Sequence, residues 1–246
     1  MTTAAVLLIG NEILSGRTQD ANLPYLGRRF DELGITLVEA RVVRDVCEEI
    51  IQAVNTLRKH YDYVFTTGGI GPTHDDITTE CVAQAFGVEV ERNPDAVQRL
   101  IMAYGEEGLN EARLKMANIP KGAYLIENPV TGAPGFRLGN VFVLAGVPRI
   151  MQGMFEGLVP ELKGGKPILT LSLSAFTQES RIAQALDALQ NEHPAVSVGS
   201  YPSRKDQRSV VTVVLRGTDR NELNQMKQRV KAIFTAAGAE PMDDSA

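Results

Sequence analysis

An α/β fold, with a parallel sheet covered by helices on both faces and a smaller α+β module behind it, is predicted by three observations in the 246-residue sequence. Short apolar runs alternate with segments whose apolar residues recur every three or four positions, an order that buries a parallel sheet between two helical layers. A stretch rich in breakers and lysine, Pro160 to Pro167, interrupts that alternation. Beyond it the order becomes strand, helix, strand, strand, helix.

The elements follow in turn. Ala4 to Ile9 is apolar throughout and reads as a first strand, since it lacks a basic start and is too short for a signal peptide or a membrane span. Leu23, Leu26, Phe30 and Leu33 fall at helical spacing over Asn22 to Leu33, and Gly34 stops the run. Thr36 to Val43 is a second strand and Cys47 to Leu57 a second helix, with Ile50, Ile51, Val54 and Leu57 on one face. Tyr63 to Thr67 is a third strand, and Thr78 to Phe86 a helix. Asn93-Pro94 opens a further helix to about Tyr104, proline suiting the first helical position. Glu111 to Ala117 is helical and ends before Pro120, while Arg137 to Val141 turns a hairpin whose second strand is Val141 to Leu144. In the second module Ile168 to Leu173, Val196 to Tyr201 and Val210 to Arg216 read as strands, Glu179 to Gln190 and Leu223 to Ala237 as helices. Arg204, Lys205 and Arg208 fall in a hairpin loop, and the acidic end Met242 to Ala246 is expected to fray. The domains are therefore drawn as residues 1–163 and 167–246.

Charge and cysteine use narrow the partners. With 25 Lys and Arg against 30 Asp and Glu the net charge is -5, which provides no basic field for nucleic acid or an anionic membrane surface. The two cysteines, Cys47 and Cys81, lie on separate predicted helices with no Cys-x-x-Cys spacing, so neither a disulfide framework nor a zinc site is expected. A reducing cytoplasm is the expected compartment.

The chemistry is concentrated in Thr66-Thr67-Gly68-Gly69-Ile70-Gly71-Pro72-Thr73-His74-Asp75-Asp76-Ile77-Thr78. Its glycines leave backbone N–H groups open to an anion between a strand end and a helix start. Two carboxylates follow at once, and each would cost about 4 kcal/mol at ~4 Å from a phosphate with an effective dielectric of ~20. A divalent cation bridging carboxylate and phosphate oxygens reverses that sign. The duller account is that Asp75 or Asp76 caps the helix. Neither the dinucleotide fingerprint nor a Walker loop fits, because His74 stands where a third glycine belongs and no Gly-Lys-Ser/Thr follows.

In a parallel sheet the ligand crevice lies at the carboxyl ends of the strands. That rule gathers Glu12, Asp45, Asp75 and Asp76 from three strand ends beside the glycines. Asp45-Val46-Cys47-Glu48 also has capping-box spacing, and Glu12 also reads as a solvated loop acid. His74 is either an acid, base or phosphate donor, or simply an exposed loop histidine.

These segments carry a resemblance. Gly10-Asn11-Glu12-Ile13-Leu14-Ser15-Gly16, Asp20-Ala21-Asn22, Asp45, the glycine-aspartate loop and Asn128 to Phe136 together resemble the CinA-type molybdopterin-binding-like family, over about residues 4–160. That family shares the fold of MoaB and Mog proteins and of the first domain of eukaryotic FAD synthases. The second module, with Ser200-Tyr201-Pro202, resembles the small α+β domain that follows in CinA proteins. The resemblance implies a MoaB/Mog-like three-layer domain, a homo-oligomer, and one of two chemistries: metal-dependent hydrolysis of ADP-ribose or FAD, or molybdopterin binding with adenylyl transfer. Leu144-Ala145-Gly146-Val147-Pro148 and Thr131-Gly132-Ala133-Pro134-Gly135 depart from the family's usual Leu-Pro-Gly-Val-Pro and Gly-Thr-Ala-Pro-Gly. Nicotinamide mononucleotide deamidation, which belongs to a further CinA domain, is not expected.

The expectation is a pyrophosphatase using Mg2+ or another divalent cation such as Co2+, with a nucleotide or a pterin such as molybdopterin as its small-molecule partner. Asp76 and Asp45 are the expected catalytic pair, with Asp75 and Glu12 as further metal ligands. Thr67, Gly68, Gly69, Gly71, Pro72, Thr78, Asn128, Pro134 and Gly135 are the expected phosphate and substrate contacts.

Overall fold

The computed structural model describes residues 1–243. It divides into two compact units, Met1–Gly165 and Lys166–Ala246.

In the first unit the strands β1 (Thr3–Ile9), β2 (Thr36–Val43), β3 (Tyr63–Thr67) and β8 (Val141–Leu144) are mutually parallel. Two short strands, β6 (Tyr124–Ile126) and β7 (Gly135–Leu138), extend the sheet antiparallel, giving the order β2-β1-β3-β8-β7-β6. Alternation along β1 shows why both faces need cover. Ala5, Leu7 and Ile9 pack with Ile50, Val54 and Leu57 of α3 (Cys47–His60), Val82 of α4 (Thr78–Phe86) and Leu100 of α5 (Pro94–Tyr104). Ala4, Val6 and Leu8 pack the other way, with Leu26 and Phe30 of α2 (Asn22–Leu33) and Met151, Met154 and Phe155 of α7 (Pro148–Leu158). A strand in the middle of a covered parallel sheet has no polar face, hence its unbroken apolar run.

The boundaries of α2, β2, β3 and α4 are those the spacing predicts, while α3 runs past Leu57 to His60. Asn93 caps α5 by accepting the Ala96 N–H, with Pro94 in the first turn. Three features differ from expectation. Helix α7 was not expected; its Met151, Met154 and Phe155 complete the second core. Pro120 does not merely end α6 (Glu111–Lys115), because Asn118–Pro120 (β5) pairs with Val90–Arg92 (β4) in a small separate sheet. Gly165 donates to the Gly34 carbonyl at 3.0 Å, so the breaker-rich stretch packs back on the end of α2.

Cys47 and Cys81 form a disulfide, with Cα atoms 5.3 Å apart. This corrects the expectation of unpaired thiols. The two residues are 34 apart in sequence, but the helices α3 and α4 that carry them pack side by side on one sheet face, which no local spacing rule reports. A structural disulfide also runs against the usual chemistry of a reducing cytoplasm.

The second unit is an antiparallel sheet of order β10-β11-β9-β12, from β9 (Leu169–Ala175), β10 (Ser197–Lys205), β11 (Arg208–Gly217) and β12 (Pro241–Asp243). Helices α8 (Ala183–Glu192) and α9 (Arg220–Ala236) bury Leu186, Leu223, Met226, Val230 and Phe234 with Leu173, Val213 and Leu215 of the sheet. Two expectations change here. Met242 and Asp243 do not fray: they pair with Ser174 and Leu173, and Asp243 forms ion pairs with Lys227 and Lys231. The expected end beyond Asp243 lies outside the described residues. Arg204, Lys205 and Arg208 sit on strand ends, because Asp206 and Gln207 take positive φ (49° and 60°) and make the turn in two residues. Among the described residues no helix is long and apolar enough to cross a membrane.

Candidate functional site

A cavity of about 650 Å3 opens where β1, β2, β3 and β8 end, the crevice position expected for a parallel sheet. Its wall combines Glu12, Asp45, Asp75 and Asp76 with Gly68, Gly69, Ile70, Gly71 and Pro72, and the Ala145 to Pro148 turn closes one side.

The glycine turn is set by close backbone approaches. Gly68 has φ +104° and Gly69 φ +69°; a Cβ on Gly68 would collide with the Ile9 carbonyl, and one on Gly69 with the Thr78 hydroxyl. The Gly68 N–H is spent on the Leu144 carbonyl at 3.2 Å. Thr78 stitches the start of α4 beneath the turn, its N–H donating to the Gly69 carbonyl and its hydroxyl to the Gly68 carbonyl, each at 2.9 Å. The N–H groups of Gly69, Ile70 and Gly71 have no protein acceptor among the described residues. Successive unspent amides of this kind form an anion-binding concavity.

The aspartates do not cap helices. The residue before α4 is Ile77 and the residue before α3 is Val46, and neither helix has a side-chain cap. Asp45 instead accepts the Asn11 N–H at 2.9 Å, tying the end of β2 to the turn after β1. Asp76 accepts the Thr73 N–H at 2.8 Å, and the Thr73 hydroxyl lies 2.6 Å from Asp75 Oδ1 and within hydrogen-bonding reach of Asp76. One hydroxyl proton serves one acceptor at a time, so the two carboxylates share it. That hydroxyl is the main reason the Asp75 carboxyl is held below its ordinary value, with His74 and Lys115 assisting. Asp45 and Asp76 are half-buried, Glu12 and Asp75 exposed.

Lys115, on α6, donates to the Thr73 carbonyl at 2.7 Å and the Asp76 carbonyl at 2.8 Å. Arg113, two residues earlier, lies 4.5 Å from the centre of the Tyr104 ring and is, among the described residues, the one cation lining the cavity. Both escaped the sequence reading. Glu111 to Ala117 reads there simply as a helix, and only its fold back onto the aspartate loop gives Arg113 and Lys115 meaning.

Some expected contacts lie behind the wall. Thr67, Thr78, Pro134 and Gly135 are buried, and the cavity lining is made by their neighbours. Asn128 lines the cavity with its amide engaged: it donates to the Thr131 hydroxyl and the Ala133 carbonyl and accepts from the Val130 and Thr131 N–H groups. It shapes the 128–133 loop. His74 is exposed and outside the lining, His60 bonds to the Thr56 carbonyl of its own helix, and His193 bonds to Glu222. Among the described residues no three His, Cys, Asp or Glu side chains stand close enough to hold a metal ion by themselves.

Residues 5–164 match the family model described as a probable molybdopterin binding domain. The chain belongs to that family. Residues 167–242 match the middle domain of FAD synthase. A protein of Pyrobaculum calidifontis is 37% identical over 213 residues, covering 82% of this chain and 81% of that one. A protein of Sulfurisphaera tokodaii is 31% identical over 240 residues, covering 93% and 90%. The crystal structure of the protein CinA, of unknown function, from Thermoplasma acidophilum is 36% identical and covers 65% of this chain and 97% of its own, with a TM-score of 0.62. The CinA-type, MoaB/Mog-like family is thereby established, as is the α/β fold followed by a small domain with antiparallel strands.

Proposed function

We propose that this domain is a cation-dependent pyrophosphatase cleaving the phosphoanhydride of a dinucleotide-like substrate of the ADP-ribose or FAD type. The carrying observation is the meeting, in one cavity, of the unspent Gly69, Ile70 and Gly71 N–H groups with the Asp45 and Asp76 carboxylates. The amides would donate to non-bridging oxygens of one phosphate, and the Arg113 guanidinium to the other, where its planar fork suits a phosphate edge. Asn11 and Thr73 fix Asp45 and Asp76 before any ligand arrives, which is the preorganisation that transition-state stabilisation needs.

Asp45 and Asp76 would hold the cation, with Glu12 and Asp75 at the exposed edge. The absence of a ready three-ligand cluster among the described residues fits an ion such as magnesium, which is held by one or two carboxylates and keeps water and phosphate oxygens in its shell. When bound, such an ion neutralises phosphate charge and lowers the pKa of a coordinated water.

A second reading, a molybdopterin or nucleotide binder or adenylyl transferase, is supported by the family description. Incubation with ADP-ribose, FAD and molybdopterin, with and without magnesium or cobalt, separates them. AMP released from ADP-ribose or FAD alone supports hydrolysis. Transfer seen only with an acceptor supports the transferase, and tight binding without product supports the binder.

A further inference from the structure

A second cavity, of about 590 Å3, adjoins the first and shares Tyr104, Asn128 and Thr131 with it as walls. Its own lining is of another kind. Met102 of α5 and Pro129 and Val130 of the following loop give it apolar sides, and Met102 and Val130 are 73% and 40% exposed. Met102 and Val130 are therefore free to pack against a ligand, where covering them would remove apolar surface from water. The walls are also built rather than slack. Asn128 fixes the loop through four hydrogen bonds. Gly132, at φ +74°, lets the loop approach α5 so closely that a Cβ there would sit 2.5 Å from the Ala103 methyl. Arg99 and Glu127 pair across the rim at 3.9 Å, leaving no net charge to attract a phosphate.

The two cavities therefore differ in chemistry while sharing a wall: amides, carboxylates and a guanidinium in one, apolar edges with a neutral rim in the other. We propose that the second cavity binds a flat heterocycle on the far side of the ligand's anhydride, so that the site takes a two-base dinucleotide in preference to a nucleotide sugar. This rests on the anhydride reading of the first cavity. Tyr104 lines both cavities and carries the Arg113 guanidinium 4.5 Å from its ring centre. A ring laid against Met102, Pro129 and Val130 removes apolar surface from water, and a ribose offers much less to bury there.

The test is calorimetry with two inert ligands, the methylene-bridged analogues of diadenosine diphosphate and of ADP-ribose, so that binding is read whether or not the protein hydrolyses anything. The two-base analogue is expected to bind on the order of tenfold tighter. The neutral substitutions Met102→Gln and Val130→Asn should each erase most of that ratio without adding a charge that would repel any phosphate. Both positions are exposed, and an unchanged thermal midpoint checks that the fold is kept. Equal affinity for the two analogues in the unsubstituted protein, or a ratio that survives both substitutions, overturns the proposal. Failure of the hydrolase reading shows separately, as absence of AMP from the unmodified dinucleotides.

Discussion

Lys115 holds the carbonyls of both Thr73 and Asp76 with one ammonium group, at 2.7 and 2.8 Å, and so clamps the loop that presents the aspartates. Its partners lie 42 and 39 residues away in sequence. Charge-assisted bonds of this kind are the stronger ones, and a carbonyl left without its donor is free to turn. Lys115→Met should therefore keep the fold and lower turnover of ADP-ribose or FAD, or ligand affinity if there is no turnover, by on the order of tenfold. Circular dichroism with steady-state kinetics or calorimetry checks both halves of that expectation.

The shared Thr73 hydroxyl gives a prediction in pH. Because it holds the Asp75 carboxyl below its ordinary value, Asp75 contributes order to the loop that is fully present above its unfolded pKa and is lost as pH falls through the depressed folded one. Carbon-detected NMR titration should place the Asp75 midpoint below the reference 3.8. Thr73→Val should raise it toward that reference. A midpoint unmoved by the substitution removes Thr73 as the cause.

The Cys47–Cys81 disulfide closes a loop of separation 34 between α3 and α4. By the chain-entropy relation such a link is worth about 3–4 kcal/mol. The Cys47→Ser, Cys81→Ser double variant should melt at a lower temperature than the oxidised protein and match the protein melted in reductant. Identical melting of all three forms would show that the link does not form in solution.

Much of the fold was legible because its signals are local. Strand β1 is apolar at every position, α2 carries Leu26 and Phe30 one turn apart, and Asn93-Pro94 is a start signal by itself. Helix α7 was missed because its entry, Ala145 to Pro148, reads as a turn, and its core face of Met151, Met154, Phe155 and Leu158 is interrupted by glycines. β12 pairs with a strand some seventy positions earlier, and its Asp243 is held both by that pairing and by Lys227 and Lys231. The site divides the same way. Glycines and aspartates announce themselves in one loop, whereas Arg113, Lys115 and the Cys47–Cys81 pair depend on helices folding back across the sheet edge. Thr78 reads as a ligand contact from sequence because a hydroxyl beside a glycine turn looks the same whether it faces a cavity or, as here, the Gly68 carbonyl beneath it.

The account turns on Asp76 acting with a cation upon an anhydride. The direct measurement is AMP release from ADP-ribose and FAD as magnesium is titrated, for the unsubstituted protein and for Asp76→Asn. The account predicts turnover that rises with magnesium, vanishes with a chelator, and falls on the order of 100-fold in the variant with the fold intact. AMP release indifferent to chelator and to the loss of the Asp76 charge would contradict it.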